Sequence, residues 1–139
     1  MNKEGAIIIV EDDTDDQELM VHLLLQLGVK NEIVLFPNGL EAYSYFSQNM
    51  AEPFLIISDI NMPKMNGIQL KEKIHQEPGL NLLTVPFIFM STSDPGKEDI
   101  RSAKKLVQGY FKKPPNLAEY KKIIKDIIDF WSKAIEPYF

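Results

Sequence analysis

Five short apolar runs recur along the chain, and each is followed by polar or turn-forming residues. The runs cover residues 6–10, 33–36, 54–58, 86–90 and 109–112. Short continuous apolar runs are typical of strands buried on both faces of a sheet, so we predict five strands. The last run is more polar than the others, which favours a place at the edge of the sheet.

Segments with apolar residues at helical spacing separate these runs. The predicted helices begin at or near Thr14, Asn38, Ile68, Asp94 and Asn116. Thr14 and Gln17 have the spacing of a capping box, which predicts that the first helix starts at Thr14. Gly28 is predicted to end it. The fourth helix is predicted to run to about Val107, and Pro137 is predicted to end the fifth.

Strands and helices therefore alternate strictly, and this alternation predicts the fold class. It is typical of an α/β domain whose parallel strands are joined by right-handed crossovers, with helices on both faces. We predict a doubly wound five-stranded parallel sheet in the flavodoxin-like order 2-1-3-4-5. In that order the ligand site lies at the carboxyl ends of strands 1 and 3.

Composition narrows the class of protein. The length of 139 residues, with 45% apolar and 25% charged residues, is typical of one globular domain. The absence of cysteine excludes disulfides and thiolate metal sites, and we expect a cytoplasmic location. The formal charge of −5 argues against direct DNA binding. No apolar run approaches the length that a membrane span needs.

Polar side chains collect at the predicted carboxyl ends of the strands. Glu11 and Asp12 follow strand 1, Asp59 follows strand 3, Ser91 follows strand 4 and Lys113 follows strand 5. Three carboxylates in one crevice repel each other unless a cation lies among them, and an all-oxygen set favours Mg²⁺. We therefore predict a magnesium site at this edge.

This set of side chains suits phosphoryl transfer to a carboxylate. Asp59 would be the nucleophile and would form an acyl phosphate. Lys113 would neutralise phosphoryl oxygens together with the metal ion, and Ser91 would donate a hydrogen bond to one of them.

Four sequence motifs resemble those of a known protein family. They are Val10-Glu11-Asp12-Asp13, Asp59-Ile60-Asn61-Met62-Pro63-Lys64-Met65-Asn66-Gly67, Met90-Ser91-Thr92 and Gly109-Tyr110-Phe111-Lys112-Lys113-Pro114. In this order and spacing the chain resembles the CheY-like receiver domain of two-component response regulators. The resemblance implies a single domain over residues 1–139, with its core at about 6–130 and a C-terminal helical extension at 131–139.

The resemblance also implies roles for individual residues. Asp59 corresponds to the position that a histidine kinase or phosphotransfer protein phosphorylates in a Mg²⁺-dependent reaction. The metal-binding positions correspond to Glu11, Asp12, Asp59 and Asn61, the last through its backbone carbonyl. The phosphoryl-binding and switch positions correspond to Ser91, Thr92, Tyr110 and Lys113. Such a protein catalyses only its own phosphorylation and dephosphorylation and is not otherwise an enzyme.

Partners follow from the same resemblance. An upstream kinase or phosphotransfer protein is expected, and a downstream protein would bind the face formed by the fourth helix, the fifth strand and the fifth helix. No output domain is expected on this chain, and no membrane partner. Trp131, Tyr138 and Phe139 could cover the end of the last helix, or could join a partner or homodimer face.

Three alternatives stay open at this point. A phosphorelay intermediate would pass the phosphoryl group on. A phosphatase of the haloacid dehalogenase type also uses a strand-end aspartate, but it needs a second aspartate two residues later, where this chain has Asn61. A flavodoxin needs a hydroxyl- and glycine-rich loop after strand 1, whereas Glu11, Asp12 and Asp13 would repel a phosphate there.

Overall fold

The predicted alternation of strands and helices is present in the structure. The structure is a computed structural model, and it describes residues 1–48, 51–80, 82–92 and 108–134. The strands are β1 Ile7–Val10, β2 Ile33–Phe36, β3 Leu55–Ser58, β4 Phe87–Ser91 and β5 Gly109–Lys112. The helices are α1 Thr14–Gln26, α2 Gly39–Gln48, α3 Gly67–His75 and the C-terminal helix α4 Leu117–Lys133, with a 3-10 turn at Pro78–Leu80. The helix predicted from Asp94 to about Val107 lies outside the described residues.

The five strands form one parallel sheet in the order β2-β1-β3-β4-β5, as predicted. The central strands β1, β3 and β4 are buried along their whole length, whereas β2 and β5 are partly exposed at the edges. In the register of β1 and β3, Val10 pairs with Ser58. The two strands therefore end at the same level, and the residues that follow them emerge side by side.

Side chains of β1 alternate between two hydrophobic cores, one on each face of the sheet. Ile8 and Val10 pack in a core with residues of α2 and α3, whereas Ile7 and Ile9 pack in a core with residues of α1 and α4. Both faces of a strand are apolar when helices cover both sides of the sheet. This arrangement explains the continuous apolar runs in the sequence and confirms the doubly wound fold.

Helix caps set where the helices begin. The prediction that Thr14 caps α1 is wrong: Asp13 is the cap residue, because its backbone is extended and its carboxylate accepts from the backbone N–H groups of Asp15 and Asp16. The caps of the second and last helices agree with the sequence pattern. The side chain of Asn38 accepts from the backbone of Glu41 at 2.9 Å, and Asn116 is the cap of α4.

The C-terminal aromatic residues have different surroundings. Trp131, a residue of α4, is only 7% exposed and belongs to the core on the side of the sheet that α1 and α4 cover. Phe130, its neighbour, is 62% exposed. Tyr138 and Phe139 lie outside the described residues, as does the predicted helix end at Pro137. Within the described part of the chain, no helix is both long and apolar enough to cross a membrane.

Candidate functional site

The backbone places the first two carboxylates at neighbouring strand ends. The N–H group of Asp59 donates to the carbonyl of Val10 at 2.9 Å, and the N–H group of Glu11 donates to the carbonyl of Phe36 at 2.9 Å. These bonds extend the strand ladders by one residue. Asp59 and Glu11 therefore emerge from adjacent strands at the carboxyl edge, where ligands bind in this class of sheet.

Three acidic side chains form one group at this edge. Carboxylate oxygens of Glu11, Asp12 and Asp59 all lie within 4.8 Å of one another. Glu11 is buried, Asp59 is partly buried and Asp12 is exposed, so the group forms the wall of a cleft that is open to solvent. The Asp59 carboxylate is also oriented by its chain neighbour, because its Oδ1 accepts from the N–H group of Ile60 at 2.6 Å.

Lys113 lies between these carboxylates. Its Nζ donates a hydrogen bond to Glu11 Oε1, lies 3.1 Å from Asp16 Oδ2 and lies 3.6 Å from Asp59 Oδ2. The side chain is only 6% exposed. Its backbone N–H group donates to the carbonyl of Ser91 at 2.7 Å, which ties the lysine to the end of β4. The structure thus brings the predicted cation to the predicted acidic group.

Burial and charge change the pKa of both members of the Glu11–Lys113 pair. Burial raises the pKa of Glu11 to about 8, although its hydrogen bond to Lys113 acts in the opposite direction. Burial alone would lower the pKa of Lys113, but the hydrogen bond and negative charge of Glu11 outweigh it, and Asp59 adds to the effect. The pKa of Lys113 therefore lies above its usual range, and the ammonium group stays charged at neutral pH.

The donor set fits a hard divalent cation. The second oxygen of Glu11, Oε2, is buried and has no hydrogen-bond partner among the described residues. A buried carboxylate oxygen without a partner is costly, and a cation or a bound water removes that cost. All three grouped side chains offer oxygen ligands, which Mg²⁺ prefers.

The loop after Asp59 has a strained backbone that sequence reasoning did not identify. Lys64 and Met65 have φ angles of 52° and 92°, in the left-handed region that favours glycine. The carbonyl of Met65 accepts from the N–H group of Gly39 at 3.0 Å, which fixes the loop to the start of α2. A Cβ atom on Gly67 would overlap the Asp59 carbonyl oxygen, so only glycine fits at the start of α3.

Ser91, Thr92 and Asn61 lie at the same edge of the sheet, whereas Tyr110 lies within β5. Ser91 is the last residue of β4, and its Oγ is buried with no hydrogen-bond partner in the described parts of the chain. Thr92 follows it and is exposed, and Asn61 is exposed in the loop two residues after Asp59. Tyr110 is half-buried in β5, with its ring 6.4 Å from the ring of Phe89.

Sequence reasoning missed one polar contact of this site. Asp13, Asp15 and Asp16 follow one another closely in the acidic segment after β1, and nothing in the sequence distinguishes them. Asp15 is exposed, but Asp13 is a helix cap and Asp16 contacts Lys113. Residue spacing cannot predict the contact between Asp16 and Lys113, because the two residues are far apart in the sequence and meet only in the folded protein.

Comparisons with known proteins agree with this geometry. The family model described as the response regulator receiver domain matches residues 7–125. Response regulator Rcp1 of Synechocystis is 29% identical, over 96% of this chain and 93% of its own length. The phosphorylated cyanobacterial phytochrome response regulator RcpA is a similar solved structure, with 32% identity, a TM-score of 0.84 and coverage of 97% of this chain and 99% of that one. The Mn²⁺-bound form of Rcp1 has 27% identity, a TM-score of 0.81 and the same coverage.

Proposed function

Because this chain belongs to the family of response regulator receiver domains of two-component systems, we propose that it is switched by phosphorylation of Asp59. One observation carries the proposal: the Asp59 carboxylate shares a cleft with Glu11 and Asp12, and Lys113 Nζ lies 3.6 Å from it. Proteins of this family are signalling proteins and not conventional enzymes.

The proposed reaction transfers a phosphoryl group to a carboxylate oxygen of Asp59. That oxygen forms the new O–P bond while the bond from phosphorus to the donor breaks, and the donor leaves with the bonding electrons. With a phosphohistidine donor the P–N bond breaks and the imidazole leaves. The Ile60 hydrogen bond to Oδ1 restricts rotation of the carboxylate and so orients the nucleophile.

A magnesium ion would be held by Glu11, Asp12 and Asp59, with the backbone carbonyl of Asn61 as a further ligand. When bound, Mg²⁺ supplies positive charge that neutralises developing charge on the transferring phosphoryl group. The buried Oε2 of Glu11, which has no partner among the described residues, supports this assignment.

Phosphoryl binding and the switch would involve residues at the ends of β4 and β5. Lys113 would pair with one phosphoryl oxygen, and the Ser91 hydroxyl, buried with no partner among the described residues, would donate to another. Thr92 would border the phosphoryl group. Movement of Ser91 would alter the packing of Tyr110, which lies on the partly exposed edge strand β5. The change would thus reach the protein surface.

Two kinds of partner follow from this proposal. A sensor histidine kinase or a phosphotransfer protein would supply the phosphoryl group, and a phosphotransfer screen against purified histidine kinases would identify it. A downstream protein would bind the face that contains β5 and α4, or a second copy of the chain would form a homodimer there. We propose no DNA or membrane partner.

Incubation with acetyl phosphate tests the proposed reaction. With Mg²⁺ the intact mass of the protein should increase by one phosphoryl group, and chelation of the ion should prevent the increase. Asp59→Asn should abolish the increase because the amide is not a nucleophile. The matched control is Asp126→Asn, which changes an exposed aspartate of α4 and should label normally.

Two outcomes would contradict the proposal. The first is a mass increase that persists in Asp59→Asn, because it would place the modification elsewhere. The second is sustained turnover of small phosphate esters without accumulation of the modified protein, which would favour the phosphatase alternative.

A further inference from the structure

Asp16 differs from the other acidic residues of its turn. It lies in the first turn of α1, and its Oδ2 is 3.1 Å from Lys113 Nζ, within hydrogen-bonding distance. Its side chain is 30% exposed and contacts Lys113, whereas Asp15 beside it is exposed. Its backbone is fixed, because the N–H group of Asp16 donates to the capping side chain of Asp13 at 3.2 Å. Asp16 is therefore held with its carboxylate toward the site.

The contacts of Lys113 explain why this carboxylate matters. An ammonium group has three N–H donors. One is used by Glu11 and one by Asp16, whereas Asp59 Oδ2 at 3.6 Å is beyond a normal hydrogen bond. Glu11 and Asp16 thus hold the nitrogen by two hydrogen bonds, and neither bond is made to Asp59.

We propose that Asp16 is a positioning residue for phosphoryl transfer. It holds Lys113 Nζ close enough to reach a phosphoryl oxygen, yet away from the Asp59 oxygens that must attack phosphorus. The inference rests on the proposed function of Asp59, but the contact between Asp16 and Lys113 exists without it.

The consequence of losing Asp16 follows from the remaining acceptors. Without this carboxylate, Lys113 Nζ would lose an acceptor that holds it away from Asp59, and Asp59 Oδ2 lies only 3.6 Å from it. A charge-assisted hydrogen bond to Asp59 would occupy a lone pair of the nucleophile and lower its basicity. Phosphorylation would become slower even when the phosphoryl donor is saturating.

Three variants test the inference through the rate of phosphorylation. At saturating acetyl phosphate and Mg²⁺, Asp16→Ala should lower the rate constant on the order of tenfold, the effect of a misplaced catalytic group. Asp16→Asn keeps an acceptor oxygen without the charge and should lie between Asp16→Ala and the wild type. Asp15→Ala removes the same charge from the same turn and should stay within about twofold of the wild type, because exposed charges are well screened. Equal slowing in Asp15→Ala and Asp16→Ala would mean a general charge effect and would overturn the inference.

A second measurement needs neither donor nor metal. In ¹⁵N-edited NMR spectra of lysine ammonium groups, the buried, doubly hydrogen-bonded Lys113 should give a slowly exchanging signal, which Lys113→Arg identifies by its loss. Asp15→Ala should keep that signal, whereas Asp16→Ala should shift it or lose it to exchange. An unchanged signal in Asp16→Ala would overturn the inference. If the wild type is never phosphorylated, the proposed function is wrong. The NMR measurement still shows whether Asp16 holds the Lys113 ammonium group.

Discussion

At the scale of single residues, Lys113 forms ion pairs with several acidic side chains of the site. It contacts Glu11, Asp16 and Asp59, and its side chain is almost completely buried. A buried ammonium group needs acceptors and opposite charge around it; Glu11 and Asp16 accept two of its hydrogen bonds, and the Asp59 carboxylate lies 3.6 Å away. The same carboxylates outnumber the lysine, so the cleft retains the negative charge that attracts a divalent cation.

Tyr120 is a second residue whose polar group is buried close to the site. Its hydroxyl has no hydrogen-bond partner in the described residues, and burial raises its pKa to about 12. Tyr120→Phe should increase the free energy of unfolding by about 1 kcal/mol, because it removes a buried unpaired hydroxyl and keeps the ring. Urea denaturation measures the change.

Tyr43 offers the matched control for that substitution. Its hydroxyl donates a hydrogen bond to Glu77, so Tyr43→Phe should lower the free energy of unfolding. A loss of stability in Tyr120→Phe as large as that in Tyr43→Phe would show that the Tyr120 hydroxyl has a partner, and would contradict the first prediction.

At the scale of helices and strands, the caps connect the loops of the site to the fold. Helix α3 begins with a complete capping box: the side chain of Asn66 accepts from the backbone of Gln69 at 2.8 Å, and the side chain of Gln69 accepts from the backbone of Asn66 at 2.9 Å. Gly67, at the start of α3, donates to the carbonyl of Ile60 at 2.9 Å. The cap therefore closes the loop that follows Asp59.

Removal of this cap should weaken both the helix and the loop. Asn66→Ala should lower the free energy of unfolding by about 1 kcal/mol, since the backbone N–H group of Gln69 loses its side-chain acceptor. Asn66→Asp keeps an acceptor oxygen and should change stability little. Urea denaturation of the two variants tests this, and equal losses in both would show that the acceptor oxygen is not what stabilises the helix.

Most elements could be predicted from the sequence, and the exceptions have local physical causes. Strands β2 and β5 have their predicted bounds, and β4 extends one residue further than predicted, to Ser91. The start of α1 was predicted correctly but its cap was not, because a threonine and an aspartate at adjacent positions are both good caps. Only the extended backbone of Asp13 identifies it as the cap.

At the scale of the whole molecule, the topology explains why the site is where it is. Neighbouring strands β1 and β3 carry their helices on opposite faces, so a crevice opens between their carboxyl ends. Alternation of strands and helices predicts this crevice and the residues that border it. It does not predict the left-handed backbone of Lys64 and Met65, or the Asp16–Lys113 contact, because both depend on how distant segments pack.

Magnesium should stabilise the whole fold through this crevice. An ion that binds only the native site raises the free energy of unfolding, by about 2.7 kcal/mol at a hundredfold excess over its Kd. The gain should grow as the pH rises toward about 8, because Glu11 must lose its proton before it can help to hold the ion. Urea denaturation with and without Mg²⁺ at several pH values measures the gain.

Without Mg²⁺, the contribution of Glu11 to the free energy of unfolding changes with pH in the opposite direction. The pKa of Glu11 in the folded protein lies above its ordinary value of 4.5, so between about 4.5 and 8 the folded state binds more protons than the unfolded chain. The contribution of Glu11 to stability therefore falls as the pH rises through this window. Asp12→Asn should reduce the stabilisation by Mg²⁺, whereas Asp126→Asn should not. If Mg²⁺ raises the free energy of unfolding equally at pH values of about 5 and about 8, the role of Glu11 is contradicted.

The most direct test of the central claim is to locate the phosphoryl group. After incubation with acetyl phosphate and Mg²⁺, borohydride reduces an aspartyl phosphate to homoserine and releases phosphate, and peptide mass spectrometry then identifies the reduced residue. We expect homoserine at position 59 and at no other aspartate. Reduction at Asp12, or none in a protein that has gained the mass of a phosphoryl group, would contradict it.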